Sequence, residues 1–191
     1  MNGVSEPAKI VVIGTSAGGL RALEEIVRTL PEGFPLPIVC VQHRSRDSTD
    51  AFAKVLATSS KVPIREVEDG LPLDMPGVYV APPDYHVLVE PGSLALSTDD
   101  PVSFSRPSID VLFESAADAY GKDVVAVLLT GANADGAHGI ARVKEAGGFA
   151  IVQDPRTAES PDMPRAAIKA AEIDRVVPLE AISAEIVRRT R

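Results

Sequence analysis

The chain has 191 residues, 45% hydrophobic and 24% charged, the proportions of an ordinary soluble protein able to bury a sizeable core. A formal net charge of -8 with no Lys/Arg run argues against a nucleic-acid partner, because phosphate binding depends on clustered basic residues that release counterions. No apolar run approaches the about 18 residues of a membrane span, and residues 1–7 lack the pattern of a secretory signal. The expectations are a single domain over residues 1–191 with a flexible leader at 1–7, a cytoplasmic location and no direct membrane insertion.

A strand is predicted at residues 9–13. It ends in Gly14-Thr15-Ser16-Ala17-Gly18-Gly19. In a G-x-S-x-G turn the glycines remove Cβ atoms where strand and helix nearly collide, leaving the Ser16 hydroxyl exposed at the head of a helix whose free N–H groups can cradle an oxyanion. The same letters also read as a degenerate dinucleotide loop, with Ser16 where the middle glycine should stand. In the blandest reading, Ser16 is only a helix N-cap.

An amphipathic helix follows at 20–30, with Leu20, Leu23, Val27 and Leu30 on one face, then a strand at 37–41 and a helix at 50–59. The lone cysteine, Cys40, lies inside the second strand, where packing is its default role. Over residues 63–98 the pattern turns to short alternating segments broken by Pro-Gly and Pro-Pro pairs, read as a β-hairpin insertion. Alternation then resumes: a helix opening at Pro107, a strand at 124–129, a loop at 130–136, a helix at 137–146, a strand at 149–152, and helices near 165–171 and 179–188. Alternating strands and helices imply an α/β, three-layer, mostly parallel Rossmann-like sheet with helices on both faces.

In open α/β sheets ligands bind beyond the carboxyl ends of the strands. Ser16 follows the first strand, His43 the second, and Asp135 the strand at 124–129. A nucleophile, a base and an orienting carboxylate form the set that acyl transfer needs. Each also has a plain structural alternative: a helix cap for Ser16 and Asp135, a structural hydrogen bond for His43. His86 lies in the insertion and His138 sits three residues after Asp135, so neither ends a main-sheet strand. With three scattered histidines and no Cys or carboxylate cluster at ligand spacing, no metal is expected.

Seven segments resemble, in order and spacing, the catalytic domain of the bacterial chemotaxis protein-glutamate methylesterases (CheB). They are Ile13 with the Gly14-to-Gly19 turn, Val41-Gln42-His43, Ala81-Pro82-Pro83-Asp84-Tyr85-His86, Arg106-Pro107-Ser108-Ile109-Asp110-Val111-Leu112-Phe113, Leu129-Thr130-Gly131, Asp135-Gly136-Ala137 and Met163-Pro164-Arg165. The resemblance implies a serine hydrolase that removes methyl esters from glutamates of a methylated chemoreceptor or other glutamate-methylated protein, releases methanol, and can also deamidate glutamines. It implies Ser16, His43 and Asp135 as the triad, backbone N–H groups of Ala17 and Ala132 as oxyanion donors, and no cofactor.

Two departures stand out. The family's loop commonly reads T-G-M-G-x-D-G-A, whereas here it is Thr130-Gly131-Ala132-Asn133-Ala134-Asp135-Gly136-Ala137; a backbone donor survives at Ala132. Family members also usually carry an N-terminal receiver domain, while this chain starts its first strand at about residue 9, so a stand-alone domain without regulation in cis is expected. The alternatives are a non-catalytic signalling adaptor of the same fold and a nucleotide-binding domain. The latter lacks the middle glycine and an acidic residue ending the second strand.

Overall fold

A computed structural model of the protein describes residues 9–45 and 51–190; the expected leader at 1–7 and the first residue of the second predicted helix, Asp50, lie outside the described residues. In chain order the elements are β1 (Ile10–Thr15), α1 (Gly19–Thr29), β2 (Pro37–Gln42), α2 (Ala51–Ser59), β3 (Ile64–Glu66), β4 (Leu71–Pro72), β5 (Gly77–Val80), β6 (His86–Glu90) and β7 (Ser93–Ser97). They continue with α3 (Ile109–Tyr120), β8 (Val124–Leu128), α4 (Ala137–Glu145), β9 (Phe149–Gln153), α5 (Asp162–Ala170), β10 (Arg175–Val177) and α6 (Leu179–Arg188).

Seven strands form one parallel sheet in the order β10-β9-β8-β1-β2-β5-β3, with β1 at its centre. All six residues of β1 are buried because both faces are covered. Side chains alternate across a strand, so Val11 and Ile13 pack with Leu23 and Ile26 of α1, Leu56 of α2 and Ile182 of α6. Ile10 and Val12 pack on the opposite face with Leu112 and Phe113 of α3, Ile140 of α4 and Met163 of α5. The expected three-layer α/β architecture is the observed one. The chain builds outward from β1 to one edge, crosses back, and builds outward through β8, so its direction reverses between β1 and β8. At such a switch point the carboxyl ends of the strands leave a crevice.

The insertion is narrower than the region at 63–98. Strands β4, β7 and β6 form a separate antiparallel sheet, with β6 and β7 as the hairpin. This sheet docks on α3, where the Ser115 hydroxyl accepts from Val89 N–H at 3.0 Å and the Tyr120 hydroxyl from Gly92 N–H at 3.0 Å. The Val78-Tyr79-Val80 run instead lies inside the main sheet as β5, parallel to both β2 and β3. A short apolar run bounded by Pro and Gly carries the same local signal in either setting, and burial on both faces, a tertiary property, decides between them. The three-residue strands β3 and β10 were not anticipated, being too short to show a period. Helix α5 begins at Asp162 rather than near 165; Pro164 lies in its first turn, where a missing N–H costs nothing.

Candidate active site

The last register pair between β1 and β2 is Thr15 with Gln42. Ser16 and His43 are therefore the next residue on each of two adjacent strands, which lie about 4.8 Å apart in any sheet. Backbone bonds hold this corner: His43 N–H donates to Thr15 O at 3.1 Å, and Ser16 N–H donates to Thr130 O, beyond β8, at 2.9 Å. The Thr15 hydroxyl reaches the same Thr130 carbonyl at 2.8 Å. The carboxyl ends of β2, β1 and β8 thus converge on one spot.

Asp135, delivered by the loop after β8, meets His43 there: His43 Nε2 lies 2.7 Å from Asp135 Oδ2. The Asp135 side chain is 0% exposed and that of His43 13%. An ionised carboxylate so deeply buried needs donors. It has the Ser108 hydroxyl at 2.9 Å and the N–H groups of Ile109 at 2.7 Å and Asp110 at 3.0 Å, besides His43. Burial pushes the Asp135 carboxyl upward, but the bond to His43, the two N–H groups and the His43 charge outweigh it and hold the group below its ordinary value. The carboxylate consequently fixes an imidazole with hydrogen on Nε2 and a free lone pair on Nδ1.

The capping readings do not survive. Helix α1 is capped by Gly18 in the left-handed region, φ 77°, and no hydrogen bond among the described residues engages the Ser16 hydroxyl. Helix α4 is capped by Gly136, φ 93°, without a side-chain bond. Asp135 instead serves the first turn of α3. That turn comes close because two glycines leave room for Ile109: a Cβ on Gly14 would stand 2.2 Å from Ile109 Cγ2, and one on Gly136 2.7 Å from it. Asn133 Oδ1 accepts from Asp135 N–H at 3.2 Å and braces the loop.

The backbone N–H groups of Ala17 and Ala132 engage no partner among the described residues, and both residues are exposed. Beside His43 opens a cleft of about 360 Å³, lined also by Arg44, Pro101, Phe104, Arg106 and Pro107. Arg106 is fixed there by Asp84, Nη2 to Oδ1 at 2.8 Å, and by the carbonyls of Thr98 and Asp99 at 2.7 and 3.0 Å. Among the described residues no three His, Cys, Asp or Glu side chains converge to hold a metal ion.

The competing histidines have other positions. His86 is buried, its Nδ1 accepting from Ser108 N–H at 3.1 Å and its Nε2 facing Asp100 O at 3.2 Å, so it supports the residue that feeds Asp135. His138 is exposed on α4. Cys40 is buried, and desolvation pushes its thiol up to about 12, which makes it inert. Ser108, Asp110 and Gln42 also border this site, and nothing in the sequence alone assigns them a role there. Only Ser108 carries a local signal, as a cap three residues before the Val111 N–H it accepts.

The CheB methylesterase family model matches residues 11–186. A Leptospira interrogans relative, provisionally named protein-glutamate methylesterase/protein-glutamine glutaminase, is 46% identical over 179 residues, covering 93% of each chain. An Anaeromyxobacter dehalogenans protein-glutamate methylesterase/protein-glutamine glutaminase is 42% identical over 96% of this chain, which spans 54% of that relative. The crystal structure of the Thermotoga maritima CheB methylesterase catalytic domain superposes with a TM-score of 0.89 at 37% identity, covering 95% of this chain and 98% of that one. With the family model matched over almost its whole length, this chain belongs to the CheB methylesterase family.

Proposed function

We propose that the chain is a serine hydrolase that removes methyl esters from glutamate side chains of chemoreceptor-type proteins. The observation that carries this reading is the His43–Asp135 hydrogen bond, buried on the carboxylate side and set beside a serine that follows the adjoining strand. The names of the relatives support the substrate class.

The cycle follows from the imidazole's tautomer. Ser16 Oγ attacks the ester carbonyl carbon while its proton passes to the free Nδ1 of His43, and Asp135 stabilises the imidazolium. The carbonyl oxygen, now an anion, accepts from the N–H groups of Ala17 and Ala132. Collapse breaks the carbon–methoxy bond, the Nδ1 proton leaves with the methoxide as methanol, and an acyl-serine remains. Water then attacks, His43 takes its proton and returns it to Ser16, and glutamate departs. With a glutamine side chain the same cycle releases ammonia. The cleft beside His43 admits the substrate, and none of these steps calls on a cofactor.

The test is methanol release from methylated receptor membranes, with Ser16→Ala as the control. Wild-type release abolished in Ser16→Ala is expected; no release by the wild type would favour a signalling adaptor, and release by Ser16→Ala would sink the serine mechanism.

A further inference from the structure

We infer that Gln42 is a positioning residue of this site: its side-chain amide fixes the Ser16 carbonyl, and through it aims the Ala17 N–H at the developing oxyanion. The inference rests on the serine-hydrolase reading above and concerns a residue that touches neither substrate nor nucleophile oxygen.

Gln42 ends β2 opposite Thr15, where the backbone ladder between β1 and β2 stops because both chains turn away. Its side chain extends the ladder. Nε2 donates to Ser16 O at 2.8 Å and to His43 O at 2.9 Å, so the two hydrogens of one amide tie the residues read as nucleophile and base. The orientation is unambiguous, since a reversed amide would set its oxygen against two carbonyl oxygens. Oε1 packs over Gly19, where a Cβ would come within 1.9 Å of it. It is buried and has no hydrogen-bond partner among the described residues. An apolar side chain of the same length would fill the space but leave the Ser16 and His43 carbonyls without this donor.

Peptide planarity gives the arrangement its consequence. In a trans peptide the C=O of one residue and the N–H of the next point in opposite directions within one plane. Ser16 O is held by Gln42 and by Gly19 N–H at 2.9 Å, so the direction of the Ala17 N–H is set with it. Loss of the amide leaves Gly19 N–H as the single hold on this plane and loosens it, while the His43–Asp135 side-chain bond is kept.

The test is Gln42→Met, with kcat expressed per active site titrated by a fluorophosphonate. We expect kcat on methylated receptor to fall about 10- to 100-fold, somewhat less than removal of a whole oxyanion donor, with KM changed less than about threefold. The midpoint of the pH–rate profile should stay in place, because the substitution removes a bond to the His43 carbonyl but leaves the side-chain bond between His43 and Asp135 intact. A purely structural role would lower the number of titratable sites and leave kcat per site alone; a kcat per site within about threefold of wild type overturns the inference. Should Gln42→Met fail to fold, the wild type decides: both Gln42 side-chain amide protons should exchange at least about a hundredfold slower than exposed amides and shift when Ser16 is modified. Fast exchange or no shift overturns it. A methanol-releasing Ser16→Ala variant defeats the serine reading itself, whereas an inactive Ser16→Ala beside a fully active Gln42→Met defeats only this inference.

Discussion

Asp110 and Asp135 cap each other's helices. Asp135, which precedes α4, accepts from the N–H groups that open α3, while Asp110 in the first turn of α3 accepts through Oδ1 from Gly136, the cap of α4, and from Gly139 within it, at 2.9 and 2.7 Å. The helices cross closely enough for this because a Cβ on Gly139 would stand 2.6 Å from Phe113 Cβ. Each carboxylate faces the positive end of the other's helix, so the fold places the carboxylate beside His43 through an exchange rather than through a loop alone.

The exchange sets two carboxyls against each other, and they titrate differently. Burial, with the Asp135 charge adding to it, raises Asp110 to about 6 despite its two N–H partners. A carboxyl raised on folding holds its proton better in the native state, so its contribution to stability is full below the unfolded value and is lost as pH rises through about 6. Asp110→Asn keeps an acceptor for Gly136 and Gly139 and removes that loss. The difference in melting temperature, variant minus wild type, should therefore climb between about pH 4 and pH 6. A flat difference across that window would show that Asp110 is not raised.

Asp135→Asn tests the other member. An amide cannot accept from four donors and presents hydrogens of its own to some of them, so the variant should lose about 1–3 kcal/mol in stability. Its amide also disturbs the imidazole tautomer and leaves the imidazolium without a counter-charge. Turnover should fall at least about a hundredfold in protein that denaturant melts and circular dichroism show to be folded. Near-wild-type turnover would leave Asp135 a structural residue of α3.

The three histidines separate by readout. His43→Ala should abolish methanol release in protein that still folds, with some loss of stability because the buried Asp135 carboxylate gives up one of its four donors. His138→Ala, on an exposed face, should match wild type in both. His86→Ala strips the Ser108 N–H of its acceptor in a buried place and should show its effect first as a lower melting temperature, by an amount equivalent to about 1–3 kcal/mol. Loss of turnover in His138→Ala equal to that in His43→Ala would refute the assignment of the base.

Cys40 should be chemically silent. With the thiol buried in the sheet and raised to about 12, iodoacetamide at neutral pH should leave native protein unmodified by mass and fully active, and should add one carbamidomethyl group only after denaturation. Rapid native labelling would mean that the sheet opens at β2.

The parts of this molecule that were legible in the sequence are those governed by short-range pattern. Ser16, His43 and Asp135 each follow an apolar run, and strand ends are where polar residues matter in such sheets. The bond between His43 and Asp135 joins residues 92 positions apart, and no local period encodes which nitrogen of the ring faces the carboxylate. Asp110 was hidden for a different reason. It sits at a normal place for an acidic residue, the first turn of a helix, and its real partners are on another helix. Gln42 reads as one more polar residue at a strand end; only the stopped ladder beside it reveals what its amide is for. The β5 strand was misplaced because burial on both faces belongs to the assembled sheet and not to the segment.

The convergence of Ser16, His43 and Asp135 at the carboxyl ends of the central strands divides the molecule's tolerance for change. At the amino ends of the strands, the connections from α1 to β2, from α3 to β8 and from α4 to β9 carry none of the site residues, although Gly33 in the first of them, at φ 73°, is itself best left a glycine. Length and sequence can drift on that side without disturbing a hydrogen bond of the site. Labels, tethers or relocated termini therefore belong at the amino ends of the strands, a full strand length away from the site.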